Sequence, residues 1–268
     1  MLATNYFAVA RPSLSNYLAM TSGSTWGITD NGYHELPSAV DLGAQLTRAG
    51  ISWRAYNEGL TDTGCLRSPY PYALKHNPFA YYGGKCPPNV VPLTALAADL
   101  AGDTPRFSWI KPGLCNDGHD CALDVAGAWL EATVSQLLAS PAWRPNSLIF
   151  IVWEEGNGGD CNLVPLIVVR HDRAAGRTVT HHDRPVSRIR RSRTRGPGDR
   201  HFLGGLCVII LIPDVMGGCR WRSGRCSLPV GTVSWSRSAR AEWDGSGCLA
   251  TRCWTVTSQS RRSCRRAG

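Results

Sequence analysis

The stretch Ala10-Arg11-Pro12-Ser13-Leu14-Ser15-Asn16-Tyr17-Leu18 follows a short apolar run, Tyr6-Phe7-Ala8-Val9, and begins a segment with helical character. These patterns predict a buried strand over residues 3–10 and a helix from Ser13 to Thr21. Ser13 would then lie where free backbone N–H groups and the helix dipole favour an anion. Its hydroxyl is either a plain helix cap or a nucleophile beside a site for negative charge.

Outward from this stretch, strands and helices alternate up to about residue 169, which predicts an α/β fold with a mainly parallel sheet. The apolar patterns predict helices over residues 40–49, 93–101 and 122–140. They predict strands over residues 51–56, 107–110, 147–153 and 163–169. Polar loops after these strands would lie together on one rim of the sheet.

The polar residues that can carry chemistry follow predicted strands. Glu154 and Glu155 come directly after a long apolar strand, at the edge where open α/β sheets bind their ligands. His76 and His119 lie in two long polar loops, and loops of this length are often functional. Taken singly, each residue has an ordinary explanation, a solvated strand end for the carboxylates and a loop-stabilising role for the histidines. Their placement on one rim favours a shared site.

Phosphoryl or sulfuryl transfer needs a hydroxyl nucleophile, a cation and proton donors. In this sequence Ser13 supplies the hydroxyl, and Glu154 and Glu155 offer the hard oxygen ligands that a divalent cation prefers. Imidazoles and Lys75 can neutralise the nonbridging oxygens and protonate the leaving group. The ligand types do not identify the metal.

The charge of the chain reverses near residue 169. The chain has 29 Lys and Arg, 20 Asp and Glu and a net charge of +9. Residues 1–168 hold nine Lys and Arg and fourteen Asp and Glu. Residues 169–268 hold twenty Arg, no Lys and six Asp and Glu. An Arg-rich stretch without Lys is typical of GC-rich DNA read out of frame, which predicts a frameshift after about residue 169. The alternative is a disordered basic tail that binds an acidic partner such as nucleic acid. The apolar run within it, residues 206–212, is too short to span a bilayer.

The eleven cysteines favour disulfides in an exported protein over free thiols. Cys65 and Cys86 flank a loop-rich segment, and Cys115 and Cys121 flank a polar turn, without the C-x-x-C spacing of a structural zinc site. The start of the chain has neither the basic nor the apolar region of a signal peptide. We therefore expect that the true N-terminus is missing from this chain.

Six motifs occur in order between residues 3 and 169. They are Pro12-Ser13-Leu14-Ser15-Asn16-Tyr17-Leu18; Thr21-Ser22-Gly23-Ser24 with Gly27-Ile28-Thr29-Asp30; Ile51-Ser52-Trp53-Arg54-Ala55-Tyr56; Lys75-His76-Asn77-Pro78-Phe79; Cys115-Asn116-Asp117 with His119-Asp120-Cys121; and Ser147-Leu148-Ile149-Phe150 with Val152-Trp153-Glu154-Glu155-Gly156. Together they make this part of the chain similar to the acid phosphatase/phospholipase C-type phosphoesterases of the alkaline phosphatase superfamily. Within that family it most resembles the secreted acid and phosphoinositide phosphatases of actinobacteria.

The resemblance implies an alkaline-phosphatase-like, three-layer α/β sandwich with a mainly parallel sheet, here incomplete. We expect a partial phosphoesterase domain over residues 1–169 and an Arg-rich tail of low order over residues 170–268, so that the C-terminal third is irregular or disordered. The full-length protein would be extracellular or in the cell envelope. It would be a monomer that acts on a small phosphate ester or a phospholipid head group, with no specific nucleic-acid partner and no transmembrane segment.

The resemblance also implies the roles of individual residues. Ser13 would be the phosphoryl-accepting nucleophile, and Ser13, Glu154 and Glu155 would bind a divalent metal ion of unspecified identity. His76 and His119 would contact the phosphate, one of them as general acid. Substrate-binding roles fall to three further residues, Asn16, Lys75 and Asn31.

Several positions depart from the family pattern. Arg11 stands where the family has His, Ser15 where it has Pro, and Glu154 where it has Asp. The family's metal-binding Glu-Asn pair would lie upstream of residue 1, and its Asn-His-Tyr-Ser segment has no match in frame around residue 180. The function indicated is a metal-dependent phosphomonoesterase with a serine phosphoenzyme. The alternatives are a phospholipase C-like phosphodiesterase and an inactive truncated remnant of such an enzyme.

Overall fold

The computed structural model describes residues 2–3, 6–38, 40–156, 162–171, 205–211, 225–228, 231–237 and 254–257. Its α-helices are α1 (Ser13–Ser22), α2 (Leu42–Arg48), α3 (Leu96–Ala101) and α4 (Leu123–Ala139), and its 3₁₀ turns are Leu74–His76, Pro78–Tyr81 and Leu93–Ala95. Its strands are β1 (Leu2–Ala3), β2 (Trp53–Asn57), β3 (Val90–Pro92), β4 (Phe107–Lys111), β5 (Leu148–Trp153), β6 (Leu166–Arg170), β7 (Leu206–Leu211), β8 (Arg225–Leu228), β9 (Gly231–Arg237) and β10 (Trp254–Thr257). Apart from the first strand, each element predicted up to residue 170 is present, with its ends shifted by at most three residues.

A seven-stranded sheet in the order β1-β6-β5-β7-β4-β2-β3 organises the described chain. β2 pairs in parallel with β3 and β4, which confirms for these strands the parallel pairing predicted from the alternation of strands and helices. The other pairings of this sheet, β4 with β7, β7 with β5, β5 with β6 and β6 with β1, are antiparallel. β5 and β6 are consecutive strands that fold directly back on one another, and this connection gives antiparallel pairing. The sheet is therefore mixed, and the prediction of a mainly parallel sheet is wrong, because four of its six described pairings are antiparallel.

Helices cover both faces of the sheet because side chains alternate along each strand. On one face α3 and α4 pack with Tyr56 and Ile110 in a buried apolar cluster. On the other face α1 and α2 pack with Ala55 and Trp109 in a second cluster. The first two residues of β7 are buried and divide between these two clusters. The described chain is therefore an α/β fold with helices on both sides of one sheet.

The predicted strand over residues 3–10 is wrong in its extent, because the strand β1 covers only two residues. The amides of Val9 and Ala10 donate instead to Oδ1 of Asn16, at 3.1 and 2.9 Å. The Asn16 side chain, from the following helix, thus accepts the backbone N–H groups that would otherwise have bonded to a neighbouring strand. The chain leading to Ser13 is consequently held by Asn16 as an irregular segment.

The region after residue 170 contributes strands that the sequence patterns did not predict. The apolar run within it forms β7, which lies between β4 and β5 in the large sheet. β8, β9 and β10 form a separate antiparallel sheet in the order β10-β9-β8. Most of this region lies outside the described residues. The domain boundary near residue 169, the tail of low order after it and the frameshift therefore stay predictions.

Two features bear on the environment of the protein. The structure contains the disulfides Cys65–Cys86 and Cys115–Cys121, which agrees with the expectation from the cysteine content. The second disulfide closes the loop that carries His119. Within the described ranges, the helices are too short or too polar to cross a bilayer.

Candidate active site

Ser13 is the first residue of α1 and is 3% exposed. Its hydroxyl donates to Oε2 of Glu155 at 3.2 Å, although 142 residues separate the two in sequence. A carboxylate at this distance can accept the proton of the hydroxyl. Pro12 holds the N-cap position of α1 without a side-chain cap bond, so Ser13 is not a plain helix cap, and its role as nucleophile stays a prediction.

Glu154 lies beside this contact and is 2% exposed. Its Oε1 accepts from the Gly205 amide at 2.8 Å, and its Oε2 accepts from Nδ2 of Asn16 at 3.4 Å. Burial, together with the neighbouring charge of Glu155, raises the pKa of Glu154 to about 7. Near neutral pH Glu154 is therefore present in both its protonated and its charged form.

Glu155 has a cationic partner in Arg11. Nη1 of Arg11 donates to Oε1 of Glu155 at 3.1 Å and to the carbonyl oxygen of Gly156 at 3.0 Å. Because Oε2 accepts from Ser13, both oxygens of this carboxylate are engaged. Glu155 therefore bridges the serine hydroxyl and a guanidinium.

The donors at this site fit a hard divalent cation. Ser13, Glu154 and Glu155 provide one hydroxyl and two carboxylates, and all three offer oxygen ligands. Mg²⁺ is commonly bound through one or two carboxylates, with waters and substrate oxygens completing the octahedron. The described residues contain no group of three or more His, Cys, Asp or Glu that could hold a metal by themselves. A cation here would therefore rely on water or substrate for several of its ligands.

A buried ionic network lies next to the carboxylate pair. Nζ of Lys111 donates to Oδ2 of Asp117 at 2.6 Å, and Nδ1 of His76 lies 3.1 Å from the same oxygen. Although burial opposes it, the charge of Lys111 holds the pKa of Asp117 well below its usual value. Burial, with the charge of Lys111 acting in the same direction, lowers the pKa of His76 to about 3. His76 is therefore neutral at physiological pH.

The contact with Asp117 fixes the tautomer of His76. A carboxylate can only accept, so Nδ1 of the neutral ring carries the hydrogen and Nε2 keeps its lone pair. Nε2 is buried and has no hydrogen-bond partner among the described residues. As placed here, the ring can accept a hydrogen bond or ligate a cation through Nε2.

His119 lies in the loop above this network. Its Nε2 is 2.9 Å from Nζ of Lys75, and its Nδ1 is 2.6 Å from Oδ1 of Asp120. Its backbone amide donates to Oδ1 of Asp117 at 2.9 Å, and its ring centroid is 5.7 Å from that of His76. The structure therefore brings both predicted histidines and Lys75 into one cluster.

The backbone of Gly205, next to β7, joins this cluster to the carboxylate pair. Its amide donates to Glu154, and its carbonyl accepts from the Tyr17 hydroxyl at 3.1 Å. A Cβ on this residue would lie 2.6 Å from Oη of Tyr17, 2.7 Å from Nζ of Lys111 and 2.9 Å from Oδ2 of Asp117. Any residue larger than glycine at this position would therefore displace Tyr17, Lys111 or Asp117.

The two predicted asparagines differ in what they can offer a substrate. Asn16 is 3% exposed, and its amide is used by the segment before Ser13 and by Glu154. Asn31 is exposed, and its Oδ1 accepts from the amide of Leu14, directly after Ser13. Asn31 therefore lies at the rim of the site, whereas Asn16 is buried and holds the segment before Ser13 and the Glu154 side chain in place.

Sequence reasoning missed Lys111, Gly205 and the pairing of Arg11. The signal for Lys111 was a charged residue at the end of a strand, Phe107–Lys111, whose other residues are apolar except for Ser108. Arg11 was noted as a departure from the family pattern, but its partner Glu155 is far away in sequence. Gly205 left no signal, because its surroundings come from three separate parts of the chain.

Comparison with known proteins finds one matched region that contains the predicted site residues from Ser13 to Glu155 and ends before Gly205. The profile of the Phosphoesterase family matches residues 1–200. Among curated proteins, the chain is 32% identical over 170 residues to the phosphate-repressible acid phosphatase of Penicillium chrysogenum, with 59% of this chain and 41% of the relative covered. It is 32% identical over 165 residues to the phosphatidylinositol-3-phosphatase of Mycobacterium tuberculosis, with 60% and 54% covered. It is 28% identical over 170 residues to an acid phosphatase of Aspergillus fumigatus, with 58% and 38% covered.

The chain thus spans between 38% and 54% of the length of these relatives. A search of the solved structures gives no match.

Proposed function

The chain belongs to the phosphoesterase family, and from this we propose that it hydrolyses phosphate monoesters through a phosphoserine formed at Ser13. The observation that carries the proposal is the 3.2 Å contact between the Ser13 hydroxyl and Glu155 at the start of α1. The relatives named as acid phosphatases support the reaction class. We also infer that the described sheet and helices are part of an alkaline-phosphatase-like three-layer sandwich.

In the first half-reaction Glu155 accepts the hydroxyl proton as Oγ of Ser13 attacks phosphorus. The P–O bond to the leaving alcohol breaks, and the alcohol oxygen takes a proton from the cluster of His119 and Lys75. A divalent cation held by Ser13, Glu154 and Glu155 would supply positive charge for the hydroxyl oxygen and the phosphoryl group. The helix N-terminus at Ser13 adds backbone N–H groups that favour the same negative charge. In the second half-reaction water attacks phosphorus and gives a proton to the cluster of His119 and Lys75. The P–O bond to Ser13 breaks, and Oγ of Ser13 takes back the proton held by Glu155 as phosphate leaves.

Lys75, His119 and Asp120 form the proton-donating side of the proposed site. Lys75 and His119 lie 2.9 Å apart, so a proton lost from one can be replaced from the other. Asp120 on Nδ1 stabilises the ring when it is charged. His76, buried and neutral, serves as an acceptor that shapes the site, and Asn31 at the rim is a candidate donor to the phosphate.

The substrate we propose is a small phosphate monoester or the phosphorylated head group of a phospholipid. The second class is supported by the relative named phosphatidylinositol-3-phosphatase. The two disulfides favour an oxidising compartment, which is consistent with a protein that acts outside the cytosol.

The test is hydrolysis of p-nitrophenyl phosphate by the full chain with Mg²⁺, Mn²⁺, Zn²⁺ or Ca²⁺ added in turn. We expect turnover with at least one cation, its loss in Ser13→Ala, and a phosphoryl group on the Ser13 peptide after acid quenching. Ser22→Ala is the control, because this serine lies in the same helix and bonds to the Leu18 carbonyl. Absence of turnover with every cation, or an active Ser13→Ala variant, would overturn the proposal.

A further inference from the structure

Arg11 and a divalent cation would compete for the same carboxylate. Nη1 of Arg11 lies 3.1 Å from Oε1 of Glu155, and the other oxygen of that carboxylate accepts from Ser13. A hard cation binds carboxylate oxygens at about 2.0–2.6 Å and takes up the negative charge that Arg11 now neutralises, so binding of one weakens binding of the other. Two positive groups at this distance also repel each other.

Arg11 is the cationic side chain that bonds to Glu155 in the described part of the chain, whereas Lys111 contributes positive charge near Glu154. Lys111, the buried cation nearby, is committed to Asp117 and to the Leu206 carbonyl. Glu155 remains 18% exposed at its side chain, so solvent and ions can reach it. Arg11 is 41% exposed, so its guanidinium has room to move away from Glu155.

Release of Glu155 does not leave Arg11 without a partner. The same Nη1 donates to the Gly156 carbonyl at 3.0 Å, and an Nη group carries two hydrogens. The arginine can therefore keep its bond to Gly156 while the carboxylate turns toward a cation.

We propose that Arg11 is an internal counter-ion that holds Glu155 until a divalent cation displaces it, and that it thereby sets the cation affinity of the site. The inference rests on the proposed function, because it assumes that the cation binds at Ser13, Glu154 and Glu155. Its consequence is that Arg11 weakens cation binding while stabilising the cation-free protein.

The experiment measures binding of Mn²⁺ alone by isothermal titration calorimetry, without substrate. Arg11→Gln removes the competing charge and is expected to bind Mn²⁺ about fivefold more tightly than the unmodified chain, a factor limited by the exposure of the ion pair. Arg11→Lys keeps a positive charge and is expected to stay within about twofold of the unmodified chain. If Arg11→Gln does not fold, Arg11→Ala provides a second neutral variant.

Arg54→Gln is the matched control. Arg54 pairs with Asp99, and the exposures of this pair, 41% and 16%, are close to the 41% and 18% of Arg11 and Glu155. We expect the Mn²⁺ affinity of this variant to be unchanged. A second readout is thermal unfolding, in which added Mn²⁺ should raise the midpoint more in Arg11→Gln than in the unmodified chain.

An Arg11→Gln variant that binds Mn²⁺ no more tightly than the unmodified chain would overturn the inference. If Glu155→Gln abolishes Mn²⁺ binding in that case, the proposed cation site stands and only the role of Arg11 is wrong. If no variant and not even the unmodified chain binds Mn²⁺, both the inference and the proposed cation site fail. The role of Ser13 is tested separately by phosphoserine formation.

Discussion

Nζ of Lys111 lies 2.6 Å from Oδ2 of Asp117, and both side chains are buried beside the candidate site. The same carboxylate bonds to His76 and, through its other oxygen, to the backbone of His119. One buried ion pair therefore positions both histidines of the proposed site.

Lys111→Met should destabilise the protein by about 3–5 kcal/mol, because it leaves the Asp117 carboxylate buried without its cation. Urea unfolding followed by circular dichroism measures the change. Lys85→Met is the control, since Lys85 is exposed, and it should change stability by less than about 0.5 kcal/mol. Equal midpoints for the two variants would contradict the assigned role of Lys111.

The contribution of His76 to stability should fall as the solution is acidified from pH 7 to 4.5, whereas Glu154, with its pKa raised to about 7, contributes with the opposite sign over the same range. His76 has a pKa of about 3 in the folded chain and about 6.5 when unfolded, so between these values the unfolded state binds the extra proton. Stability from this group therefore rises with pH in that window, by about 2–3 kcal/mol between pH 4.5 and 6.5. The depressed pKa of Asp117 acts with the same sign below about pH 4.

Urea unfolding at several pH values measures this slope. His76→Gln has no proton to take up there, so acidification from pH 6.5 to 4.5 should cost this variant about 2–3 kcal/mol less stability than it costs the unmodified chain. A variant that keeps the full slope would show that His76 is not the group responsible.

Gly205→Ala should lower stability by about 1–3 kcal/mol and reduce turnover, because the new Cβ would displace Tyr17, Lys111 and Asp117. Gly127→Ala is the matched control. It lies inside α4 with open space where a Cβ would be, so it should stabilise the helix by about 0.5–1 kcal/mol. A destabilised Gly127→Ala together with a neutral Gly205→Ala would contradict both packing arguments.

His119→Asn should lower kcat by about 10²–10⁴-fold with phenyl phosphate and much less with p-nitrophenyl phosphate. The nitrophenolate leaves without needing a proton, so loss of a general acid matters little for it. Rates with both substrates under the same cation give the ratio directly. An equal loss for both would mean that His119 positions the phosphate rather than protonating the leaving group, and His34→Asn on an outer loop controls for non-specific effects.

The two disulfides should contribute unequally to stability and activity. Replacing Cys65 and Cys86 by Ala opens a crosslink with a sequence separation of 21, and replacing Cys115 and Cys121 opens one with a separation of 6. Loop-closure entropy predicts losses of about 3 and about 2 kcal/mol. The shorter disulfide closes the loop of Asp117 and His119, so its loss should reduce turnover more. The reverse order of activity would argue against a catalytic role for that loop.

The meeting of Ser13 with Glu155 could be predicted in outline, because Glu155 follows a strand of the sheet and Ser13 was expected to follow another, and such positions share a rim. The strand expected over residues 3–10 failed because Asn16 takes the amides of Val9 and Ala10, a choice that apolar patterning does not report. Lys111 was missed because a charge at a strand end is usually solvated, and its partner Asp117 became visible only in three dimensions.

The position of β7 was also beyond sequence reasoning. A short apolar run can form a buried strand or a buried helix segment, and periodicity alone does not separate them. β7 pairs with β4 and β5, which lie about 50 to 100 residues earlier in the chain, and local sequence patterns do not indicate partners at such separations. The Gly205 contacts depend on that pairing, so they could not be predicted either.

Because β7 separates β4 from β5, the large sheet cannot close while the ribosome has yet to produce Leu206–Leu211. Until then β4 and β5 each offer an unpaired edge, and such edges readily recruit strands from other chains. A nascent chain of this protein would therefore carry two open strand edges until Leu206–Leu211 has been made, and its maturation would be governed by contacts formed late and over long sequence separations.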